Sequence, residues 1–527
     1  MFDRNIQSRT IVILGLLGFF GCFSSLPFLS QVKALDFKFP LKKNTVFEST
    51  DGFLHAQGIL SEPFVKKAKI SSSQEGIIYI QKKLGIEDAY EHLRFLPLYY
   101  WQVDYTYKQE KESIFSKKNR VKILVDPISA NVIGYNRFIA TADYKDVRIL
   151  SKNESEEIAN NFFSLINFNS SEFKLTRYFP IEGKYIFEWE KEVEQLKTAK
   201  LKIKLEIFGD KVGNFQYFLN IPKKELRVIQ ANNIFAVGLS LTLYALVFLF
   251  GLIVTIISFF RRREIQWRFG LSFALLMSIS FMVNLLKIGN YKGFYLSLFL
   301  VTSILIGIAI FLWTVIASSA SKLFSKDSSL NFFPVKISYS IFLSYVFFFS
   351  GMGFTMFFFI FVIKIFNPIM TLGFDSFFSE FPSSKFSCLI APLLSLSAAI
   401  SEEILFRALM ISFLKKYFKN IIWPVVISTF IWSFLHVSPV AYSDIFPNFV
   451  QGIILLPIGF LFSYIFIKFG LMCAITTHFL HDLVVIGSAF LEFNNFGNVN
   501  LNVEILLFFA IIPLIIAFYL RHKEAHV

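Results

Sequence analysis

Apolar and polar positions divide this 527-residue chain into two parts of opposite character. Residues 36–230 intersperse Lys, Glu, Asp and Asn with apolar positions, whereas residues 10–29 and nearly everything after Asn232 read as long apolar stretches. A helix needs about 20 mostly apolar residues to cross a hydrocarbon core. Runs of that kind predict spans near 10–29, 233–260, 269–286, 294–318, 337–363, 387–413, 421–437, 446–467, 471–490 and 502–520. The pattern therefore predicts a polytopic α-helical membrane protein with about 9–10 transmembrane helices, and an α+β domain set between the first span and the rest.

Within residues 36–230 the pattern predicts one unit written twice, over about 74–140 and 151–222. Each copy opens on a helical stretch, Glu75 to Leu84 and then Ser155 to Phe163. The second is introduced by Ser151 and Glu154 at capping-box spacing. Aromatic strands follow, Tyr100 to Tyr105 and Tyr185 to Glu190, and then hairpins over 122–135 and 202–215. In both hairpins, period-two apolar alternation flanks a turn rich in Gly, Asn or Asp.

Composition changes the picture in two ways. With 54% hydrophobic and only 17% charged residues, the chain is too apolar for a single soluble domain. The net charge of +14 raises nucleic acid as a partner, but its distribution indicates a membrane instead. Arg4 and Arg9, Arg261 to Arg263, Lys322, Lys326 and Lys336, Lys415 to Lys419, Lys468, Arg521 and Lys523 all fall on one side if every span crosses. The positive-inside rule then places both termini in the cytoplasm and residues 36–230 outside, as in a bacterial inner membrane. Arg4 and Arg9 ahead of the run 10–29 predict a signal anchor over 1–35, with Val32-Lys33-Ala34 as the place where a signal peptidase would cut the alternative, a signal peptide. Cys22, Cys388 and Cys473 all lie in apolar stretches, so neither a disulfide framework nor a CxxC metal site is expected.

Few ionisable residues interrupt the spans, and they cluster. Glu402, Glu403 and Arg407 lie in the 387–413 span, His436 ends the 421–437 span, and His478, His481 and Asp482 lie in 471–490. Each charge held at the centre of a bilayer costs about 2.5–3.5 kcal/mol on insertion scales, so this grouping requires partners or a purpose. Glu403 and Arg407 stand at i,i+4 and can pair structurally. Glu402 then points about 100° away on an α-helix and is free to face a cavity. His478 and Asp482 also stand at i,i+4. Two helices presenting His toward a Glu suit a water-activating site.

Glu402-Glu403-x-x-x-Arg407 is similar to the EExxxR motif of the CAAX prenyl protease and bacteriocin-processing (CPBP, or ABI) superfamily of intramembrane endopeptidases. Trp432 to His436 resembles the same family's FxxxH motif, with Trp in place of Phe, a difference expected to affect packing only, and His478 to Asp482 resembles its HxxxN/D motif. The resemblance implies a metal-independent glutamate endopeptidase in which Glu402 activates a water with help from His436. His478 and Asp482 would then stabilise the oxyanion, with Glu403 and Arg407 in support and no cofactor. An ionised Asp cannot donate a hydrogen bond, so Asp482 must be protonated, orient His478, or act through water. The helix, strand and hairpin order of 36–230 resembles a PepSY-type module. The expected domains are thus the signal segment 1–35, the module 36–230, membrane helices 231–380 and a protease core 381–527.

The expected partners are the lipid bilayer and a membrane-associated protein or peptide substrate, without nucleic acid. Three other readings stay open. Glu402, His436 and His478, with or without Asp482, form a two-His, one-carboxylate set of the kind that binds zinc, although no HExxH is present. A scaffold or immunity-type binding protein would need no chemistry at all. A transporter would also explain many spans and buried charge, but the halves show no inverted repeat of broken helices.

Overall fold

The computed structural model describes residues 40–61, 63–85, 88–89, 96–107, 120–137, 149–181, 183–196, 198–260, 330–370, 387–439, 445–492 and 499–525, with a few isolated positions elsewhere. The spans expected at 269–286 and 294–318, and nearly all of 10–29, lie outside them. The chain forms two compact units: residues 33–233 with 369–383, and residues 1–32, 234–368 and 384–527.

The first unit is built on an eight-stranded antiparallel sheet. Its elements run α1 (Lys43–Ala56), β1 (Phe64–Ser72), α2 (Gln74–Leu84), β2 (Tyr99–Tyr107), β3 (Arg120–Val125), β4 (Val132–Arg137), α3 (Lys152–Leu165), β5 (Lys174–Ile181), β6 (Lys184–Glu192), β7 (Lys200–Phe208) and β8 (Lys211–Asn220). The strand order is β1-β2-β3-β4-β8-β7-β6-β5, so the two halves meet at the β4–β8 pair, where Tyr135 stands opposite Phe215. Alternation explains the two faces. Along β7, Leu201, Ile203, Leu205 and Ile207 are buried. Lys202, Lys204 and Glu206 take the opposite face, where Lys202 pairs with Glu188 at 2.8 Å and Glu206 with Lys184 at 2.9 Å.

Helices α1 and α3 cover the apolar face through aromatic contacts. Phe53 of α1 meets Phe162 of α3 at 6.1 Å, and Phe162 meets Phe215 of β8 at 5.3 Å. The capping box that the sequence predicts at the start of α3 is present: Ser151 accepts from the Glu154 N–H, and Glu154 accepts from the Ser151 N–H. Helix α1 was not evident from the sequence, because Thr50, Asp51 and Gly52 interrupt its apolar stripe. Its polar positions are satisfied internally, with Thr50 Oγ1 2.6 Å from Tyr105 OH and the Tyr105 hydroxyl donating to Asp51.

The second unit is helical, and its elements continue the numbering: α4 (Lys223–Phe260), α5 (Ile337–Phe366), α6 (Ser387–Glu402), a π-helical segment (Glu403–Ile411), α7 (Ser412–Lys415), α8 (Ile422–Leu435), α9 (Phe449–Phe469), α10 (Leu471–Glu492) and α11 (Val499–Ala525). Four helical stretches among the described residues are long and apolar enough to cross a membrane: Lys223–Val254, Ile337–Phe366, Phe449–Phe469 and Val503–Glu524. Ile422–Leu435 and Leu471–Gly487 are shorter apolar helices. The protein is thus a polytopic helical membrane protein with an additional α+β domain.

Helices α6, α8, α9 and α10 pack together around Trp432, Phe462, Phe466 and Leu480, with α5 against α9 and α10. Gly459 permits a close approach of α9 to α8, since a Cβ there would lie 2.8 Å from both Thr429 and the Trp432 ring. Gly470 turns the chain from α9 into α10 at φ +91°, a conformation that side chains with a Cβ resist. On α4, Ser240 donates to the Leu435 carbonyl at 2.9 Å, fixing the end of α8 next to His436.

Candidate active site

Three chain segments bring the ionisable residues together. Glu402 closes α6 and Glu403 opens the π-helical segment, His436 caps α8, and His478 and Asp482 lie one turn apart on α10. π-Turns are uncommon and concentrate at functional positions. Here the segment carries Glu403 and Arg407, both with fully buried side chains, while Glu402 retains 24% exposure. The two adjacent glutamates therefore occupy different environments, as the helical geometry predicts.

Glu403 is enclosed by cations and donors. Its Oε1 lies 3.1 Å from Arg407 Nη1 and 2.8 Å from His478 Nδ1. The Arg407 contact is off-line for a hydrogen bond, so Arg407 Nη1 and Nε and Glu403 Oε2 have no hydrogen-bond partner among the described residues. Arg407 is held by aromatic faces as well, its Cζ lying 4.6 Å from the Trp432 ring centroid and 5.4 Å from that of Phe462.

Glu402 faces two imidazoles. Its Oε1 is 4.0 Å from His436 Nε2 and its Oε2 is 3.8 Å from His478 Nε2. Both separations exceed a direct hydrogen bond. His436 Nδ1 lies 2.8 Å from the Trp432 carbonyl, which can only accept, so Nδ1 carries the proton and Nε2 is the basic nitrogen of the neutral ring. His478 Nε2 also lies 3.3 Å from Asp482 Oδ2, and His481 Nδ1 lies 3.1 Å from Asp482 Oδ1. All six residues named from the sequence are thus within one cluster. His481, outside the family motif, joins it through Asp482.

Two further residues shape the site. The Trp432 indole N–H donates to Glu402 Oε2, a role for which a packing Phe has no equivalent. Phe462 of α9 stacks on His478 with centroids 4.5 Å apart and planes 22° from parallel. Trp432 was visible in the sequence as a departure from FxxxH, and its N–H was the available signal. Phe462 gave none, because it is one of 69 phenylalanines.

Residues 384–484 match the family model of type II CAAX prenyl endopeptidases, Rce1-like. All three motifs fall within the Rce1-like segment, whereas the sheet unit, α4, α5 and α11 lie outside it. Over 93 residues the chain is 31% identical to the sporulation-killing factor biosynthesis protein SkfC of Bacillus subtilis (strain 168). That stretch is 18% of either chain, so the similarity spans less than a fifth of the relative's length. No solved structure matches.

A resident zinc would need three donors turned toward one point. Among the described residues, no group of three His, Cys, Asp or Glu is arranged to hold a metal ion. Trp432 already directs an N–H at one oxygen of Glu402, which disfavours a cation at that oxygen.

Proposed function

We propose that this protein is an intramembrane endopeptidase that cleaves a membrane-associated protein or peptide with a glutamate-activated water. The observation that carries the reading is the part-exposed Glu402 carboxylate lying between His436 Nε2 and His478 Nε2, at 4.0 and 3.8 Å. A water held there gives one hydrogen to Glu402 Oε1 and the other to His436 Nε2, which leaves an oxygen lone pair for the substrate carbonyl. As that oxygen forms its bond to carbon, Glu402 takes the proton. Negative charge then gathers on the former carbonyl oxygen, and the His478 ring, which faces a carboxylate oxygen at each nitrogen and so carries a hydrogen on both, donates from Nε2. Return of the proton from Glu402 to the amide nitrogen breaks the C–N bond and releases the amine.

Glu403 and Arg407 hold His478 from behind, through Nδ1. The working orientation is an inner (cytoplasmic) membrane protein with both termini cytoplasmic and residues 36–230 outside. Residues 74–140 and 151–222 are read as two copies of one PepSY-like unit that presents or restrains the substrate. The mirrored strand order supports two matching halves, with the first half also taking in β1 (Phe64–Ser72), which precedes residue 74.

The test uses full-length protein in liposomes mixed with solubilised membrane proteins in 18O-water. New C-termini carrying 18O are expected from the wild type and absent from Glu402→Gln. Equal labelling in the two, or none in either, would replace the endopeptidase reading with that of a binding protein.

A further inference from the structure

The Asp482 carboxylate is shared by two imidazoles. Oδ1 faces His481 Nδ1 at 3.1 Å, and Oδ2 faces His478 Nε2 at 3.3 Å. His478 in turn presents Nδ1 to Glu403 Oε1 at 2.8 Å, and Glu403 meets Arg407. The five groups form one chain in which each anion lies between cations or N–H donors. His481 is the outer end of that chain. Its Nε2 is buried without a hydrogen-bond partner among the described residues, so its one polar contact there is with Asp482.

This arrangement bears on the residue at 482. An ionised carboxylate only accepts, and both of its oxygens are already directed at ring nitrogens. We propose that His481 is a positioning residue: its Nδ1–H holds Asp482 as an acceptor that orients His478, so that donation to the oxyanion falls to His478 alone. The 3.3 Å contact is long for a charge-assisted hydrogen bond, so the His478 N–H keeps the freedom to reach a second oxygen. An Asn at 482 would offer its own amide hydrogen and would have no need of His481. The inference rests on the endopeptidase reading for its consequence, but not for the hydrogen bonds themselves.

Two measurements on the full-length protein in liposomes separate these parts. The first is a double-mutant cycle of His481→Phe and Asp482→Asn, read as initial rates on a pool of internally quenched apolar peptides. His481→Phe is expected to lower kcat about tenfold with KM unchanged when Asp482 is present, and less than twofold when residue 482 is Asn. His481→Asn, which supplies an amide donor near the place of Nδ1, is expected to recover most of the loss. An equal effect of His481→Phe in both backgrounds, or no effect in either, overturns the proposal. The second is 15N NMR of the histidine rings, which needs no activity. The His478 ring signals are expected to move in His481→Phe; unmoved signals overturn the proposal even if the enzyme is active. Moved signals in a protein without peptidase activity would retain the positioning role and remove the endopeptidase reading.

Discussion

The indole N–H of Trp432 donates to Glu402 Oε2, joining the end of α8 to the end of α6. The same indole has its face to the Arg407 guanidinium. One aromatic side chain thus fixes the orientation of the carboxylate and shields the cation behind it. Trp432→Phe preserves the packing and removes the N–H. A hydrogen bond to a charged group contributes about 1.5–3 kcal/mol, so peptidase activity is expected to fall by about tenfold or more. The loss should appear in kcat rather than in KM, since the bond acts on the base and not on the bound peptide. Steady-state kinetics with a quenched peptide checks this.

The buried pair Glu403 and Arg407 should respond differently to single and double replacement. Removing one partner of a buried ion pair strands the other and costs about 3–5 kcal/mol. Arg407→Met alone is therefore expected to lower the thermal midpoint of the detergent-solubilised protein sharply. Glu403→Leu combined with Arg407→Met is expected to regain much of that midpoint while leaving activity low, because His478 loses its support at Nδ1. A double variant as unstable as the single one would contradict this account of the pair.

Metal removal gives a third test. Prolonged dialysis of the liposome-reconstituted protein against 1,10-phenanthroline is expected to leave the cleavage rate within about twofold of the untreated sample. A rate lost on chelation and restored by zinc would assign Glu402, His436 and His478 to a metal instead.

In the sheet unit, burial pushes the Glu206 carboxyl up, and the hydrogen bonds from Lys204 and Lys184 outweigh it, holding the group below the ordinary carboxylate range. Because its folded value lies below the unfolded value of about 4.3, the stabilisation is fully present above that pH and is lost as pH falls through the folded value. The contribution is on the order of 1 kcal/mol, since both lysines keep partial solvent contact. Acidification should therefore increase proteolytic opening of residues 184–208 in the wild type. Glu206→Gln should be less resistant at pH 7 and should depend less on pH.

The sequence was most legible where its periodicity was regular. Alternation along 202–215 and the Ser151 and Glu154 capping pair predicted a hairpin and a helix start that the structure contains, because each depends on neighbours close in the chain. Long apolar runs predicted helices near 337–363, 446–467 and 502–520 for the same reason. Helix α1 escaped because its buried polar residues, such as Thr50, are satisfied by a strand 55 residues later. The π-helical winding of 403–411 escaped as well, since no residue in it departs from α-helical patterning. At the site, residue types and spacing named the ionisable cluster. The Trp432 to Glu402 bond and the Phe462 platform depend on how α6, α8, α9 and α10 pack, which no local pattern encodes.

The role proposed for Glu402 is to activate a water for peptide hydrolysis in the membrane. Its most direct test compares protein N- and C-termini across the membrane proteome of cells expressing the wild type or Glu402→Ala at matched levels. A small set of new termini in membrane-associated proteins is expected in the wild type and missing in the variant. Identical termini in the two, with any cellular phenotype retained by Glu402→Ala, would contradict the account.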